Sequence, residues 1–150
     1  MADYHLVQLN IAHAKATIDS ELMADFVAQL DSVNAAAEQA PGFVWRLKDD
    51  ENNNAIGFNA FDDENMLINI SVWETAEHLK DYLYSGVHLD VFKDKTRWFK
   101  KMESAHLVLW WINKDIRPTI DESLEKLSYL NINGPSEIAF DLRNLYPMPS

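Results

Sequence analysis

The chain has 150 residues, 47% of them apolar and 25% charged, the make-up of an ordinary globular protein of one domain. Thirteen basic residues against 24 acidic ones leave a net charge of -11. That field repels phosphate backbones and anionic membranes, so neither nucleic acid nor a membrane is expected as a partner. The absence of cysteine excludes disulfides, thiolate metal sites and a Cys nucleophile.

No signal-peptide pattern stands at Met1–His5, and no apolar run approaches the ~20 residues that span a bilayer. A cytoplasmic protein is the simplest expectation.

Tyr4 to Ala12 has strand length and alternates. Val7, Leu9 and Ile11 form the expected core side, and Leu6, Gln8 and Asn10 point the other way. Asp19 or Ser20 can cap a helix whose apolar stripe is Leu22, Met23, Phe26, Val27, Leu30, Val33 and Ala37, and Pro41-Gly42 stops it. Phe43–Leu47 reads as a short strand, with Phe43, Trp45 and Leu47 on one face and Val44 and Arg46 on the other. Lys48–Asn65 turns polar and reads as a loop of binding-loop length.

Leu67–Trp73 is the third strand, with Ile68, Ile70 and Val72 toward the core and Leu67, Asn69, Ser71 and Trp73 away. Thr75 can cap the next helix, whose apolar edge is Leu79, Tyr82 and Leu83. Gly86 breaks it, and the pattern resumes to Met102. Ala105–Asn113 is a fourth strand, apolar on both faces, which demands a further covering layer. Thr119-Ile-Asp-Glu122 is a capping box that opens a helix with Ile120, Leu124, Leu127 and Leu130 inward, ended by Gly134-Pro135. The tail, Ile138–Leu145, has the length of an edge strand.

This order is a βαββαβ, ferredoxin-like α+β pattern with an antiparallel four-stranded sheet and an extra C-terminal helix. It forms one domain over 1–150, with a core at 4–113 and the helix and tail at 119–150. If the helices cover the Val7 face, the opposite face carries Leu6, Gln8, Asn10, Asn69, Ser71, Trp73 and either Trp110 or Trp111. So apolar a surface is not left in water. Two sheets packed face to face would hide it, so a homodimer is expected, a dimeric α+β barrel. The other arrangement is a monomer with the tail folded across the sheet.

Phe61-Asp-Asp, Asn69-Ile-Ser-Val-Trp-Glu, Tyr84-Ser-Gly-Val-His88, Arg97-Trp-Phe, Leu109-Trp-Trp and Arg117-Pro-Thr together resemble a bacterial domain-of-unknown-function family over nearly the whole chain. Through Val72-Trp73-Glu74 the chain is similar to the dimeric α+β barrel superfamily, which includes antibiotic-biosynthesis-type and haem-degrading monooxygenases. The resemblance implies a pocket for a planar molecule. In the haem-degrading branch an Asn, a Trp and a His line the site. Asn10 matches the Asn, while Tyr82 and Phe92 stand where the Trp and the His would be. The segment Tyr84–His88 is similar instead to one in the haem-dependent spheroidene monooxygenases.

The candidate site follows. His88, beside Phe92, is the candidate haem ligand; its bland reading is a histidine bonded to backbone or to Asp90 or Asp94. Asn69 and Trp73 are the candidate catalytic residues, and Asn10, Ser71, Tyr82, Trp110 and Trp111 the candidate substrate contacts. Each could equally be interface or core. No protein-only metal site is expected, because no His or carboxylate set has metal spacing. Arg46 would anchor a ligand carboxylate or pair with Asp62 or Asp63. The expected function is binding of an apolar or planar small molecule, with monooxygenase chemistry that is haem-dependent or cofactor-free. The alternative is a non-catalytic binding or dimerisation module.

Overall fold

The computed structural model describes residues 3–48, 65–85, 95–102 and 104–149. In chain order these form β1 (Tyr4–His13), α1 (Ala24–Gln39), β2 (Phe43–Arg46), β3 (Met66–Trp73), α2 (Ala76–Leu83), α3 (Lys95–Trp98), β4 (Leu107–Asn113) and α4 (Ile120–Asn133). The strands make one antiparallel sheet in the order β2-β3-β1-β4. This is the ferredoxin-like arrangement that the element order predicts.

Each strand pair carries its side chains in register. Leu9 sits between Ile70 and Val108, and Gln8 between Ser71 and Leu109. Val7, Leu9, Ile11, Ile68, Ile70, Val72, Val108, Trp110 and Ile112 therefore share one face, where they pack with Leu127 and Leu130 of α4. The other face carries Leu6, Trp73 and Leu109, packed with Ala37 of α1, Leu79 of α2 and Phe140 of the tail. Both faces of the sheet are thus covered by the chain itself.

This inverts one expectation and removes the reason for another. The helices α1 and α2 lie on the Leu6–Gln8–Trp73 face, not on the Val7–Leu9–Ile11 face. The second layer that β4 requires is α4. An unpaired apolar sheet face was the physical ground for expecting a homodimer, and among the described residues there is no such face.

The strand β2 also departs from simple alternation. Phe43 pairs with Trp73 and Trp45 with Val72, so Val44 is the extra residue of a bulge, which reverses the side-chain order. Phe43 consequently joins the α1/α2 side, and Trp45 and Leu47 join the α4 side. Arg46 pairs with Ser71 and shares its face.

Local chemistry sets the helix ends. Thr75 accepts the His78 backbone N–H at 3.1 Å, and Thr119 accepts that of Glu122 at 3.1 Å, each satisfying an orphan donor of the first turn. Gly134 closes α4 at φ 76°. The helix α1 begins later than Asp19 or Ser20 would have it. Met23 occupies the N-cap without a side-chain cap bond, because residues before it are spent on turns closed by Ser20 N–H to Thr17 O and Met23 N–H to Ser20 O. Met23 itself is buried with Ala14 and Trp98, whereas Leu22 is exposed.

The helix α3 stops at Trp98 rather than running to Met102. Phe99 bridges to Ala14, and the Lys100 N–H donates to His13 O at 2.8 Å, so the chain there extends along β1. Phe26 of α1 holds this corner, edge-on to Phe99 with centroids 5.0 Å apart. In place of a full edge strand, the described tail makes one bridge to the sheet, Leu109 with Phe140, and one within itself, Asp141 with Asn144.

Candidate functional site

The α1/α2 face of the sheet carries a line of polar side chains. The Trp73 indole Nε1–H donates to Ser71 Oγ at 2.9 Å, Ser71 Oγ–H donates to Gln8 Oε1 at 2.8 Å, and Gln8 Nε2–H donates to Asn10 Oδ1 at 2.8 Å. Strand pleating makes this possible, since residues 71 and 73 of β3 and 8 and 10 of β1 lie on one face of adjacent strands. Trp73, Ser71 and Gln8 are buried, and Asn10 is half-buried. Asn69, paired with Asn10 across the strands, is exposed. The ribbon therefore runs from dry interior to the edge of the covered region. At its wet end the Asn10 Nδ2 amide has no hydrogen-bond partner among the described residues.

Aromatic rings wall the dry end. Tyr82 of α2 stacks on Trp73 with centroids 5.1 Å apart and planes 26° from parallel. Phe43 meets Trp73 edge-on at 5.6 Å. The Tyr82 hydroxyl donates to Val33 O of α1 at 3.2 Å. Burial pushes the Tyr82 pKa up from 10.0 to about 12, opposed by the charge of Arg46, so the phenol stays protonated at neutral pH. Arg46, 7% exposed, lies 3.3 Å from Glu38 of α1. Its carboxylate partner among the described residues is thus Glu38, and Asp62 and Asp63 lie outside those residues.

On the side of Tyr82 away from the sheet is a cavity of about 320 Å³ between α1 and α2. Ala36, Ala40 and Pro41 wall it from the α1 end, His78, Asp81 and Tyr82 from α2, and Ser85 from the turn that follows α2. The three α2 residues recur at helical spacing, so they form one stripe of the helix. Thr75 Oγ1 bonds the His78 ring Nδ1 at 2.7 Å. Gly42, at φ 82°, lets the backbone pass against the His78 ring, where a Cβ would overlap it.

The expected site residues separate on this frame. Asn10, Asn69, Ser71, Trp73 and Tyr82 share one side of the sheet. Trp111 is on that side too, with its Nε1–H donating to Tyr146 O of the tail at 2.9 Å. Trp110 lies on the opposite face among the residues that meet α4, away from the ribbon. His88 and Phe92 lie outside the described residues. Sequence reasoning left Gln8, His78, Asp81 and Ser85 out of the site. For Gln8 a signal existed, an amide two positions before Asn10 on one strand face; for the α2 stripe the 3.6-residue period was the only clue.

Among the described residues the cavity's one imidazole is His78, whose Nδ1 is bonded by Thr75 and whose ring is seated against Gly42. No three His, Cys, Asp or Glu side chains among the described residues group as metal ligands. No helix there is long and apolar enough to cross a membrane.

Among solved structures, the chain is similar to a conserved protein from Methanosarcina mazei Go1 (12% identity, TM-score 0.52, covering 75% of this chain and 94% of that one). It is also similar to a protein from Nitrosomonas europaea provisionally described as an antibiotic biosynthesis monooxygenase (11% identity, TM-score 0.50, covering 79% and 96%). SnoaB of Streptomyces nogalater, a cofactor-independent oxygenase, aligns at 17% identity with a TM-score of 0.46, covering 79% and 97%. Identities this low establish a common fold and nothing finer. No curated protein sequence matches. The model of the domain of unknown function DUF3291 matches residues 5–150, so the chain belongs to that family.

Proposed function

We propose that the protein binds a planar small molecule on the side of the sheet that α1 and α2 cover, and that it oxygenates this molecule. The observation that carries the reading is the hydrogen-bonded ribbon Trp73–Ser71–Gln8–Asn10. A face that served only to fold would be aliphatic, because each buried polar group must recover its lost hydration through a partner. This ribbon is satisfied along its length and ends in an open amide pair, Asn10 and Asn69, suited to a ligand carbonyl or hydroxyl. The Tyr82 ring, which lines the cavity and is backed by the buried Trp73, suits a flat apolar body.

Oxygenation without a cofactor requires a substrate whose own carbanion supplies the electrons to dioxygen, the protein orienting and desolvating it. Tyr82 is too weak an acid to ionise, and Arg46 cannot accept a proton. The remaining titratable groups on the cavity wall, His78 and Asp81, are the proton acceptors in this reading. A purely structural ribbon is the second reading; it is favoured by the cavity lining, which includes Tyr82 but neither Asn10 nor Asn69.

The test is a panel of planar phenolic polycycles and hemin, followed by tryptophan fluorescence and oxygen uptake on wild type, Asn10→Leu and His88→Ala. The expected result is saturable quenching by a phenolic polycycle, weakened about ten-fold in Asn10→Leu, the worth of one charge-free hydrogen bond at its upper range. Oxygen uptake with the same compound completes it. A panel without a binder, or binding indifferent to Asn10→Leu, overturns the reading. A hemin complex abolished by His88→Ala would replace it with a haem protein.

A further inference from the structure

We propose a second ligand site, for a small monocarboxylate with an apolar body, in the pocket between β2, the start of β1 and the loop that joins β4 to α4. It lies at the strand end of the α4 side and does not rest on the reading above. The pocket holds about 200 Å³. A liquid water takes about 30 Å³, so one ring with a carboxylate fits and a polycycle does not. Its walls are His5, Trp45, Lys114, Asp115, Ile116 and Arg117, with valines behind them.

Three observations converge. First, cations gather here on a chain of net charge -11: Lys114 and Arg117 flank one carboxylate, Asp115. Neither Lys114 nor Arg117 has an ion-pair partner among the described residues. In a field that is negative elsewhere, two unpaired cations beside each other form the local anion site. Second, the Arg117 guanidinium carbon lies 5.6 Å from the Trp45 ring centroid, so the ring orients a planar fork that matches a carboxylate. Third, the loop is fixed before any ligand arrives. The Lys114 N–H donates to Asp3 O at 3.1 Å, the Ile116 N–H to Asn113 O at 3.0 Å, and the Asp115 N–H to Asn113 Oδ1 at 3.2 Å. The apolar walls, Trp45 and the exposed Ile116, favour a ring or short chain over a bare phosphate.

The probes are phenylacetate, phenylacetamide and inorganic phosphate, titrated into the full chain while the Trp45 indole and Arg117 Nε–H signals are followed by NMR. Phenylacetate is expected to shift both signals saturably at one equivalent. Phenylacetamide should bind about ten-fold more weakly or not at all, and Arg117→Gln should weaken phenylacetate by about the same factor. Lys114→Gln should weaken it several-fold. Both side chains are exposed, so neither variant threatens the fold. Equal binding of acid and amide, indifference to Arg117→Gln, a response to phosphate alone or no response at these two signals each overturns the proposal.

Discussion

The two faces of the sheet are built from the same four strands and differ in kind. The α4 face is aliphatic apart from Trp45 and Trp110, and its central strand residues are almost wholly buried: Val7, Leu9 and Val108 at 0%, Ile70 at 1%. The α1/α2 face interrupts its apolar residues with Gln8, Asn10, Arg46, Asn69 and Ser71. The first face is a stability device, where each buried Leu- or Val-sized side chain is worth about 1.5–3 kcal/mol. The second face surrenders part of that stabilisation, because a buried hydrogen bond nets only about 1 kcal/mol. A fold needs one face of the first kind, and the second kind needs a further reason, which the proposed ligand binding would supply.

Truncation of the aliphatic face should have the largest effect. Leu9→Ala, between Ile70 and Val108, is expected to lose about 2–5 kcal/mol of unfolding free energy in denaturant melts. A loss under about 1 kcal/mol would mean that this face is not the core.

The next effect is a pH dependence confined to the other face. The folded pKa of Tyr82, about 12, lies above its unfolded value of 10.0, so the folded chain holds that proton more tightly. Its contribution is fully present below pH 10 and is lost as pH rises toward 12, by about 2–3 kcal/mol for a two-unit difference. Tyr82→Phe should remove this alkaline slope relative to wild type, while losing about 0.5–1.5 kcal/mol at neutral pH with the bond to Val33. A slope unchanged in the variant contradicts the burial of this phenol.

Gly42→Ala combines a positive φ with overlap on the His78 ring, and should cost about 1–3 kcal/mol. It should also disturb the cavity wall, visible as altered His78 ring signals. Gln8→Leu should cost about 1–2 kcal/mol, since it removes two hydrogen bonds and leaves the buried Ser71 hydroxyl without its acceptor and the half-buried Asn10 Oδ1 without its donor. It should also weaken ligand binding, by no more than the roughly ten-fold expected of Asn10→Leu. A stability loss as large as that of Leu9→Ala would make the ribbon core, and the distinction between the faces would fall.

Much of this fold was legible from sequence. The element order, the Thr75 and Thr119 caps and the Gly134 stop depend on local spacing, which survives folding intact. The demand of β4 for two covering layers was legible too. What alternation could not tell is which layer covers which face, because Val7–Leu9–Ile11 and Leu6–Trp73–Leu109 are both apolar enough to be buried. That ambiguity hid that α4 supplies the second covering layer, so the apolar sheet face is no argument for a partner subunit. The bulge at Val44 was hidden for a related reason, as Phe43 and Trp45 each fit either face. Within the site, Asn10, Ser71, Trp73 and Tyr82 could be grouped by strand and helix period. Gln8 in the ribbon and the cavity residues His78, Asp81 and Ser85 needed the placement of α2 over the sheet.

The most direct test is an NMR titration with a compound from the polycycle panel, following the side-chain amides of Gln8, Asn10 and Asn69 and the Trp73 indole. The account predicts that the Asn10 and Asn69 amides shift most, with Gln8 and Trp73 following along the ribbon, while the Trp110 indole under α4 stays still. Shifts concentrated at Trp110, or none at the four ribbon groups, would contradict it.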